Sequence, residues 1–278
     1  MHGTGSPRPA LWRAISLTAS LHTNRAATGR NPTLLTVTDG IIIREQNIGE
    51  ADRIVTVLTR ELGVVRAFAS GARRIKSKNL SSTGLLCYSR ITLYRSKGTY
   101  RINDAEPLEL FFGLREDIEK ISLAQYFCEL ALTLAPAEEE AGDFLRLMLN
   151  ALFLLEKGLR PPALVKAAAE LSVLTLAGYM PDLAACPRCG RGDAFRFHLR
   201  QGRLFCGDCL PPGPDTIDLP AGVLAAMRFI VYSETGKVFS FSLPEKSLKT
   251  LAAVSEAYLL AQTDRRFAAL EFYKTLLL

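Results

Sequence analysis

Four of the six cysteines form two pairs with the spacing of metal ligands. Cys186 and Cys189 make one C-x-x-C turn, and Cys206 and Cys209 make a second after 16 intervening residues. Each turn can present two thiolates to one ion, and a hairpin turning at Gln201–Gly202 brings the pairs together. The spacing predicts a four-cysteine zinc site. A redox dithiol is the alternative, although redox C-x-x-C motifs usually occur singly beside a βαβ unit.

Four cysteines saturate tetrahedral zinc, so the predicted site leaves no open position that could activate water. We expect one structural zinc ion per chain, which folds a hairpin too small to bury a core of its own. His198 is expected to be an exposed hairpin residue, because four thiolates make it unnecessary as a ligand. Five arginines make this region basic, so that it either contacts DNA or faces solvent. They are Arg188, Arg191, Arg196, Arg200 and Arg203.

The sequence lacks the usual catalytic arrangements. Its three histidines are His2, His22 and His198, so a Ser-His-Asp or Cys-His site has almost no base to use. The sequence contains no phosphate-binding loop of the G-x-x-x-x-G-K-[ST] or G-x-G-x-x-G type, and no H-x-E deaminase pattern. A metal-dependent nuclease is the remaining enzyme hypothesis, but the most basic segment carries no carboxylate for the metal. We therefore predict a protein that is not an enzyme.

The segment from Leu62 to Asn103 contains nine basic residues and no acidic residue. Strand-like apolar runs continue between the charges, so a face built from this segment is cationic. Polyphosphate is the expected partner, because each ion pair with a nucleic acid releases condensed counterions. Tyr88, Tyr94 and Tyr100 lie between the cations, as in proteins that stack the bases of single strands. The alternative is a solvated basic hairpin whose tyrosines belong to the core.

With 48% hydrophobic residues, the chain can bury a sizeable core and form two or three domains. The net charge is +6, but residues 110–183 carry 11 acidic and six basic residues. No apolar run reaches the roughly 18 to 20 residues that a membrane-spanning helix needs. Cys87 and Cys128 lie in apolar surroundings, so the cysteine usage fits a reducing compartment.

Five short runs rich in Val, Ile, Thr and Tyr predict strands at 34–43, 53–59, 64–70, 85–95 and 99–103. Five closely spaced strands favour a small OB-type barrel, an architecture that often carries oligonucleotides on one face. The loop 71–84 is polar and flanked by glycines, so we expect it to stay outside the core and reach toward phosphate.

Helical periodicity follows Pro107, and its six segments lie at about 114–135, 143–157, 161–178, 221–233, 245–262 and 264–277. The first three segments predict an antiparallel bundle, and the last three are expected to dock on it. The cysteine region is therefore an insertion between helices. Residues 1–33 contain four arginines and no acid, and we predict a basic, disordered extension; an organelle transit peptide and an upstream start codon chosen in error are the alternatives.

Several segments resemble, in order and spacing, the amino-terminal signature of the bacterial RecO recombination mediators. These segments are Thr38–Ile43, Ile48–Thr59, Leu62–Val65 and Ala69–Ser77. The resemblance continues through Leu176–Pro181 and the four cysteines, and covers about residues 35–278. It implies an OB-fold domain followed by a helical domain with an embedded zinc finger.

The predicted fold class is therefore α+β. A five-stranded OB-fold barrel is expected at residues 34–109, after the extension at 1–33. The all-helical domain is expected in two parts, 110–183 and 213–278, with the zinc finger inserted at 184–212.

The resemblance also implies a function. RecO proteins bind single-stranded and double-stranded DNA, anneal complementary strands, bind the single-strand-binding protein SSB, and load the RecA recombinase together with RecR. They are linked to RecF and work in the bacterial cytoplasm at the nucleoid, without nucleotide hydrolysis and without a membrane. The same resemblance assigns DNA binding to the loop after the third strand and to the next two strands. The residues concerned are Arg73, Arg74, Lys76, Lys78, Arg90, Arg95, Lys97 and Arg101.

The SSB tail is acidic and ends in an aromatic residue, so its receptor should combine an apolar pocket with a cation. We expect this pocket in the helical domain, with Arg146, Lys157 or Lys166 as the cation. An RNA-binding or ribosome-associated adaptor with the same barrel and zinc is the alternative function, because the 2′-hydroxyl that separates RNA from DNA leaves no trace in composition.

Overall fold

The computed structural model describes residues 34–277, so the extension predicted for residues 1–33 lies outside the described residues. A closed five-stranded barrel comes first and a helical domain follows it, which confirms the predicted α+β fold class. The barrel strands are β1 (Leu35–Ile48), β2 (Asp52–Thr59), β3 (Gly63–Ala69), β4 (Tyr88–Ser96) and β5 (Thr99–Glu109).

The strands pair in the order β1-β2-β3-β5-β4, and β4 returns to β1 to close the barrel. All neighbours are antiparallel except β3 and β5, as in an OB-like barrel. Alternation along each strand sends one set of side chains inward, including Ile42, Val57 and Ile91. Two outward residues, Ile41 and Tyr88, pack instead on the helical domain, so the barrel and the helices share a core.

Two strands are longer than their side-chain patterns predict. Residues 44–48 of β1 are exposed and mostly polar, yet Arg44 to Ile48 pair in register with Thr56 to Asp52 of β2. β5 continues beyond residue 103 to Glu109 along β4, with two shifts of register. Backbone pairing extends both strands where the hydrophobic alternation has already stopped.

The helices are α1 (Asn79–Ser82), α2 (Ile118–Leu134), α3 (Gly142–Glu156), α4 (Pro162–Leu176), α5 (Ala221–Tyr232), α6 (Glu245–Thr263) and α7 (Ala268–Thr275). The carboxylate of Asp117 accepts hydrogen bonds from Glu119 N and Lys120 N at 2.9 and 3.2 Å, which caps α2. The last helix begins four residues later than predicted, because Asp264 ends α6 in the left-handed region, at φ +47°. No helix in the described range is long and apolar enough to cross a membrane.

A buried ion network joins the helices. Lys166 Nζ lies 2.8 Å from a carboxylate oxygen of Glu170 and 2.8 Å from one of Glu256. Glu170 also accepts hydrogen bonds from Tyr126 Oη of α2 and Ser255 Oγ of α6. Burial raises the pKa of Glu170, although Lys166 and these hydrogen bonds oppose that rise. Lys166 and Glu170 both belong to α4, and their contacts with Glu256 and Ser255 join this helix to α6 while satisfying both buried charges.

The cysteine region forms an insertion between α4 and α5, as predicted. Its sheet contains β6 (Arg196–His198), β7 (Arg203–Phe205) and β8 (Thr216–Asp218), and β6 and β7 make the expected hairpin. This hairpin was predicted to be too small to bury a core of its own, and Phe197 and Leu204 are instead fully buried in the core of the helical domain. The Phe197 ring meets the Tyr258 ring of α6 edge to face, with centroids 5.1 Å apart. The insertion is therefore packed onto the helical domain.

The hairpin turn comes close to the same helix. Gly202 has φ +61°, and a Cβ there would lie 2.7 Å from Tyr258 Oη. Gln262 of α6 donates a hydrogen bond from its amide to Leu199 O at 2.7 Å. A glycine is required at the turn both for its backbone conformation and for this approach to α6.

Candidate metal centre and nucleic-acid interface

The four paired cysteines meet at one point. The sulfur atoms of Cys186, Cys189, Cys206 and Cys209 all lie within 4.8 Å of one another, and Cys189 Sγ and Cys206 Sγ are 3.6 Å apart. Four thiolates at about 2.3 Å from a tetrahedral ion have sulfurs about 3.8 Å apart, so the cluster has the dimensions of a metal site. All four thiols converge instead of forming two separate pairs, which favours a bound ion over a redox dithiol.

Hydrogen bonds favour ionised thiols at two of the four positions. Arg191 donates to the Cys206 sulfur and lowers the pKa of that thiol. Burial opposes ionisation of Cys186, but backbone N–H donors of Cys206, Arg188 and Cys189 outweigh it and lower its pKa to about 6. Hydrogen bonds with Cys206 and Cys189 raise the pKa of Cys209 to about 12. Arg191 thus supports a ligand, a role that its position on a basic surface did not predict.

Two predictions about the finger are wrong. Arg196 is buried and donates to both carboxylate oxygens of Asp218 at 2.6 and 2.8 Å, and to Leu210 O at 2.7 Å. His198 is half-buried, and its Nδ1 has no hydrogen-bond partner within residues 34–277. Both residues belong to β6, which has β7 on one side and β8 on the other, so the sheet covers them.

The remaining finger arginines are largely engaged by the protein. Arg188 donates to Cys209 O and lies over the Phe205 ring. Arg191 pairs with Asp208, and Arg200 Nε lies 3.3 Å from an Asp215 carboxylate oxygen. Their contacts within the finger account for these three arginines without a DNA partner.

The basic loop after β3 is held by the turn between β1 and β2. Asp52 Oδ1 accepts a hydrogen bond from Gly71 N at 2.7 Å, and Ala51 O accepts one from Arg73 N at 2.9 Å. The Arg73 guanidinium donates to Gly49 O at 2.9 Å. Two segments that are 20 residues apart in the sequence thus form one surface, with Gly71 in the left-handed conformation at φ +64°.

The second half of this loop is not exposed, contrary to the prediction for residues 71–84. Asn79, Ser82 and Thr83 are buried, and α1 forms there. Arg53 of β2 donates to Thr83 Oγ1 at 3.2 Å, and Ser89 Oγ donates to Ser82 O at 2.9 Å. Arg53 and Ser89, from two strands, thus satisfy the Thr83 hydroxyl and the Leu80 and Ser82 carbonyls, whereas Asn79 Oδ1 and Ser82 Oγ have no hydrogen-bond partner within residues 34–277.

The first half of the loop is the accessible part. Arg74, Ile75 and Lys76 are exposed, and the Ile75 side chain is almost completely so, at 95%. An isoleucine this exposed between two cations was not singled out from the sequence. It places an apolar side chain at the point where the loop reaches farthest from the core.

The eight cations predicted to bind DNA fall into two groups. Three are in ion pairs: Lys78 with Asp104 at 2.5 Å, Arg90 with Asp39 at 3.1 Å and Arg95 with Glu138 at 3.3 Å. The other five make no ion pair within the described part of the chain. They are Arg73, Arg74, Lys76, Lys97 and Arg101. Within residues 34–277 these five have no carboxylate to displace before they bind phosphate, although the Arg73 guanidinium also donates to Gly49 O.

The aromatic residues of the predicted interface also fall into two groups, one buried and one beside the surface cations. Tyr88 is 8% exposed and packs against the helical domain, so the prediction that it lies among the surface cations is wrong. Tyr94 and Tyr100 are half-buried, and the Arg95 guanidinium lies 5.2 Å from the centre of the Tyr100 ring. The guanidinium of Arg101 lies 5.0 Å from the centre of the Phe68 ring, and Phe68 of β3 is a residue that sequence analysis missed. The alternation of β3 is the signal that could have placed Phe68 on the outer face.

Comparison with known proteins covers both domains. Residues 34–111 match the family model described as Recombination protein O N terminal, and residues 115–271 match the model described as Recombination protein O C terminal. The two models meet within a few residues of the end of β5. The barrel and the helical domain with its insertion therefore both have counterparts in one family.

Similar proteins include several bacterial proteins named DNA repair protein RecO. The protein of Acetivibrio thermocellus is 33% identical over 241 residues, which is 86% of this chain and 96% of the relative. That of Symbiobacterium thermophilum is 33% identical over 243 residues, again 86% and 96%. That of Alkaliphilus metalliredigens is 28% identical over 246 residues, 87% and 99%. With both family models matched and the relatives covered almost end to end, this chain belongs to the RecO family of DNA repair proteins.

Proposed function

We propose that this chain is a non-enzymatic mediator of DNA repair and recombination in the bacterial cytoplasm, acting at the nucleoid. It binds single-stranded DNA and also duplex DNA, anneals complementary strands, and helps RecR load RecA on SSB-coated DNA in the pathway that includes RecF. Family membership supports the repair role. The observation that carries the DNA-binding part is the group of five unpaired cations on the barrel and its loop.

Annealing follows from charge neutralisation. Two single strands repel each other through their phosphates, and a protein that places cations on both lowers this repulsion. Arg73 and Arg74 are presented on a loop that the turn at Gly49–Asp52 holds in place, so little ordering is needed when a strand binds. Contacts of this kind are directed at phosphate and do not need unpaired bases, which extends binding to duplex DNA.

We also infer that the ion in the cysteine cluster is zinc. Four thiolates in a tetrahedral set suit zinc, and with all positions filled the ion is structural. Its role is to hold the two C-x-x-C turns together at the outer end of the insertion.

An annealing assay tests the mediator function. We expect the protein to accelerate pairing of complementary oligonucleotides coated with cognate SSB, without any nucleotide, because annealing is driven by base pairing once repulsion is reduced. The rate is followed by fluorescence quenching between labelled strands, with and without RecR. A heat-denatured sample of the protein is the control for non-specific charge effects.

No acceleration, with single-strand binding intact, would contradict the mediator function. An RNA oligonucleotide that then outcompetes the matched DNA would establish the RNA-binding adaptor instead.

The site for the SSB tail is proposed at the end of α3. Lys166 is 3% exposed and engaged with two carboxylates, so it is not accessible to a docking peptide. Arg146 and Lys157 remain. Each has about half of its side chain exposed and pairs with a single carboxylate, Arg146 with Asp143 at 3.8 Å and Lys157 with Glu156 at 2.8 Å. Lys157 differs from Arg146 in having large apolar side chains nearby.

The apolar surroundings of Lys157 come from the start of the helical domain. The carboxylate of Glu156 accepts a hydrogen bond from Gly113 N at 3.0 Å, which joins the end of α3 to the turn before α2. Phe112, Ile118 and Leu159 around this junction are 62%, 59% and 53% exposed. A cation beside exposed apolar side chains suits an acidic tail that ends in an aromatic residue.

Lys157→Glu is expected to weaken binding of a peptide with the SSB tail sequence by roughly fivefold, because an exposed ion pair contributes up to about 1 kcal/mol. Fluorescence anisotropy of the labelled peptide measures this, and Arg146→Glu is the matched control. Loss of binding in the Arg146 variant alone would place the site on the other side of α3.

A further inference from the structure

One outward-facing residue from each of four strands forms a continuous row on the barrel wall. Tyr94 of β4 is paired in register with Arg101 of β5, Arg101 with Phe68 of β3, and Phe68 with Ile54 of β2. Their chain neighbours Leu93, Ile102, Ala67 and Val55 line the barrel interior. Because side chains alternate along a strand, the row faces outward. A cation therefore lies between two aromatic rings on the outer wall.

The contact between the Phe68 ring and the Arg101 guanidinium is of the kind that a nucleobase would make with either side chain. The Arg101 guanidinium lies over the Phe68 ring at 5.0 Å, within the range of a cation–π interaction. Arg101 makes no ion pair with any carboxylate in the described range. A planar group can stack on such an aromatic ring or on the guanidinium plane, while the free charge attracts phosphate.

A groove of about 500 Å³ opens beside Phe68. Residues 64–68 of β3 form one wall and residues 98–100 at the start of β5 form the other, with Ala137 and Glu138 at one end. Glu138 is the acidic residue of the lining, and Arg95 neutralises it at 3.3 Å. The groove is thus largely apolar, and its remaining charge, on Arg66, is positive.

The surroundings of the groove match a polynucleotide in particular. OB barrels bind oligonucleotides on the face of the second and third strands, between the β1–β2 and β4–β5 turns, and this groove lies on that face. Lys97 is adjacent to Gly98 of the lining, and Arg73 follows Phe68 by five residues. Cations at both ends of the groove, and side chains that can stack on bases in its middle, suit a single strand that crosses the boundary between β3 and β5.

We propose that the seam between β3 and β5 is a base-stacking site for single-stranded nucleic acid, with Phe68 as the stacking ring and Arg101 as its cationic partner. The proposal rests on the single-strand binding proposed above and adds a second chemistry to it. The loop cations hold phosphate and therefore bind single strands and duplexes alike. Phe68 needs an unstacked base, so it distinguishes a single strand from a duplex.

The test compares Phe68→Leu with the wild type as full-length proteins. We expect affinity for a 20-nucleotide oligothymidine to fall about 5- to 100-fold, as for the loss of one stacked base. The salt dependence should keep its slope, because no phosphate contact is removed. Affinity for a duplex of the same length should stay within about twofold. Phe272→Leu, at an exposed phenylalanine of α7 in the helical domain, is the matched control and should bind like the wild type.

Phe68→Tyr keeps the ring and is expected to bind single strands as the wild type does, which separates stacking from any effect of leucine on folding. A tyrosine variant as weak as the leucine variant would overturn the stacking role. An equal loss of affinity for duplex DNA in Phe68→Leu would also overturn it. So would a Phe68→Leu variant that binds single strands like the wild type, while the reversal of Arg73 and Arg74 still abolishes binding. A wild type that binds no single strand would instead overturn the proposed function itself.

Discussion

Reversing Arg73 and Arg74 to glutamate is expected to reduce the salt dependence of single-strand binding by about 1.4 to 1.8 units of slope, through the loss of two phosphate contacts. Since each contact contributes about 0.7 to 0.9 to the slope, the affinity lost at 0.1 M salt is on the order of 50-fold. Arg74 is exposed and Arg73 is half-buried with its guanidinium on Gly49 O, and neither makes an ion pair within the described chain. Anisotropy titrations at several salt concentrations measure the slope.

The chain provides a matched control for this charge reversal. Arg265 and Arg266 are also adjacent and exposed, but they lie between α6 and α7 in the helical domain. Reversing them changes the net charge by the same amount and should leave the slope nearly unchanged. An unchanged slope in the loop variant, or an equal change in both variants, would move the DNA-binding face away from the loop.

Replacing Cys186 with serine is expected to release the proposed zinc ion, lowering the metal content from the expected one ion per chain to none. Zinc contributes about 10 to 16 kcal/mol of apparent free energy in isolated zinc-finger peptides, so the two C-x-x-C turns should unfold. Phe197 packs on Tyr258 of α6, and this contact should carry part of the loss into the stability of the helical domain. Metal analysis, limited proteolysis and thermal unfolding measure the three effects.

The barrel should remain folded in this variant, because most of its interior forms a hydrophobic cluster separate from the one that includes the insertion. Single-strand binding should therefore survive. Cys87→Ala, at a buried thiol of the barrel, is the control and should retain one zinc ion. A serine variant that still holds one ion per chain would show that Cys186 is not a ligand.

Features with a local or periodic signal were predictable from the sequence. The spacing of the C-x-x-C pairs identified all four clustered cysteines, since a metal site needs two close pairs and a hairpin. The starts of α4, α5 and α6 coincide with prolines at Pro161, Pro220 and Pro244, which mark the beginning of a helix. The five barrel strands were recognised as short runs rich in Val, Ile, Thr and Tyr.

Features that depend on a distant partner were not predictable in the same way. Arg196 is buried because Asp218 lies opposite it on β8, which the patterns did not predict. The segment 79–83, with Asn79, Ser82 and Thr83 buried, is held by Arg53, a side chain from another strand. Phe68 was overlooked because it carries no charge within a segment that was recognised by its charges. In each case the deciding contact joins two different strands or helices, whereas a sequence pattern describes only the one strand or helix in which it occurs.

The ion pairs on the barrel also bear on how long a strand stays bound. Lys78, Arg90 and Arg95 each hold a carboxylate of the protein. A phosphate that reaches one of these cations must replace that carboxylate, so the exchange adds little net attraction, and the carboxylate remains beside the cation to take its place again. The carboxylates of the protein thus compete with phosphate for these three cations. In the proposed annealing reaction, such competitors would favour release of the paired strands and return the protein to the next round.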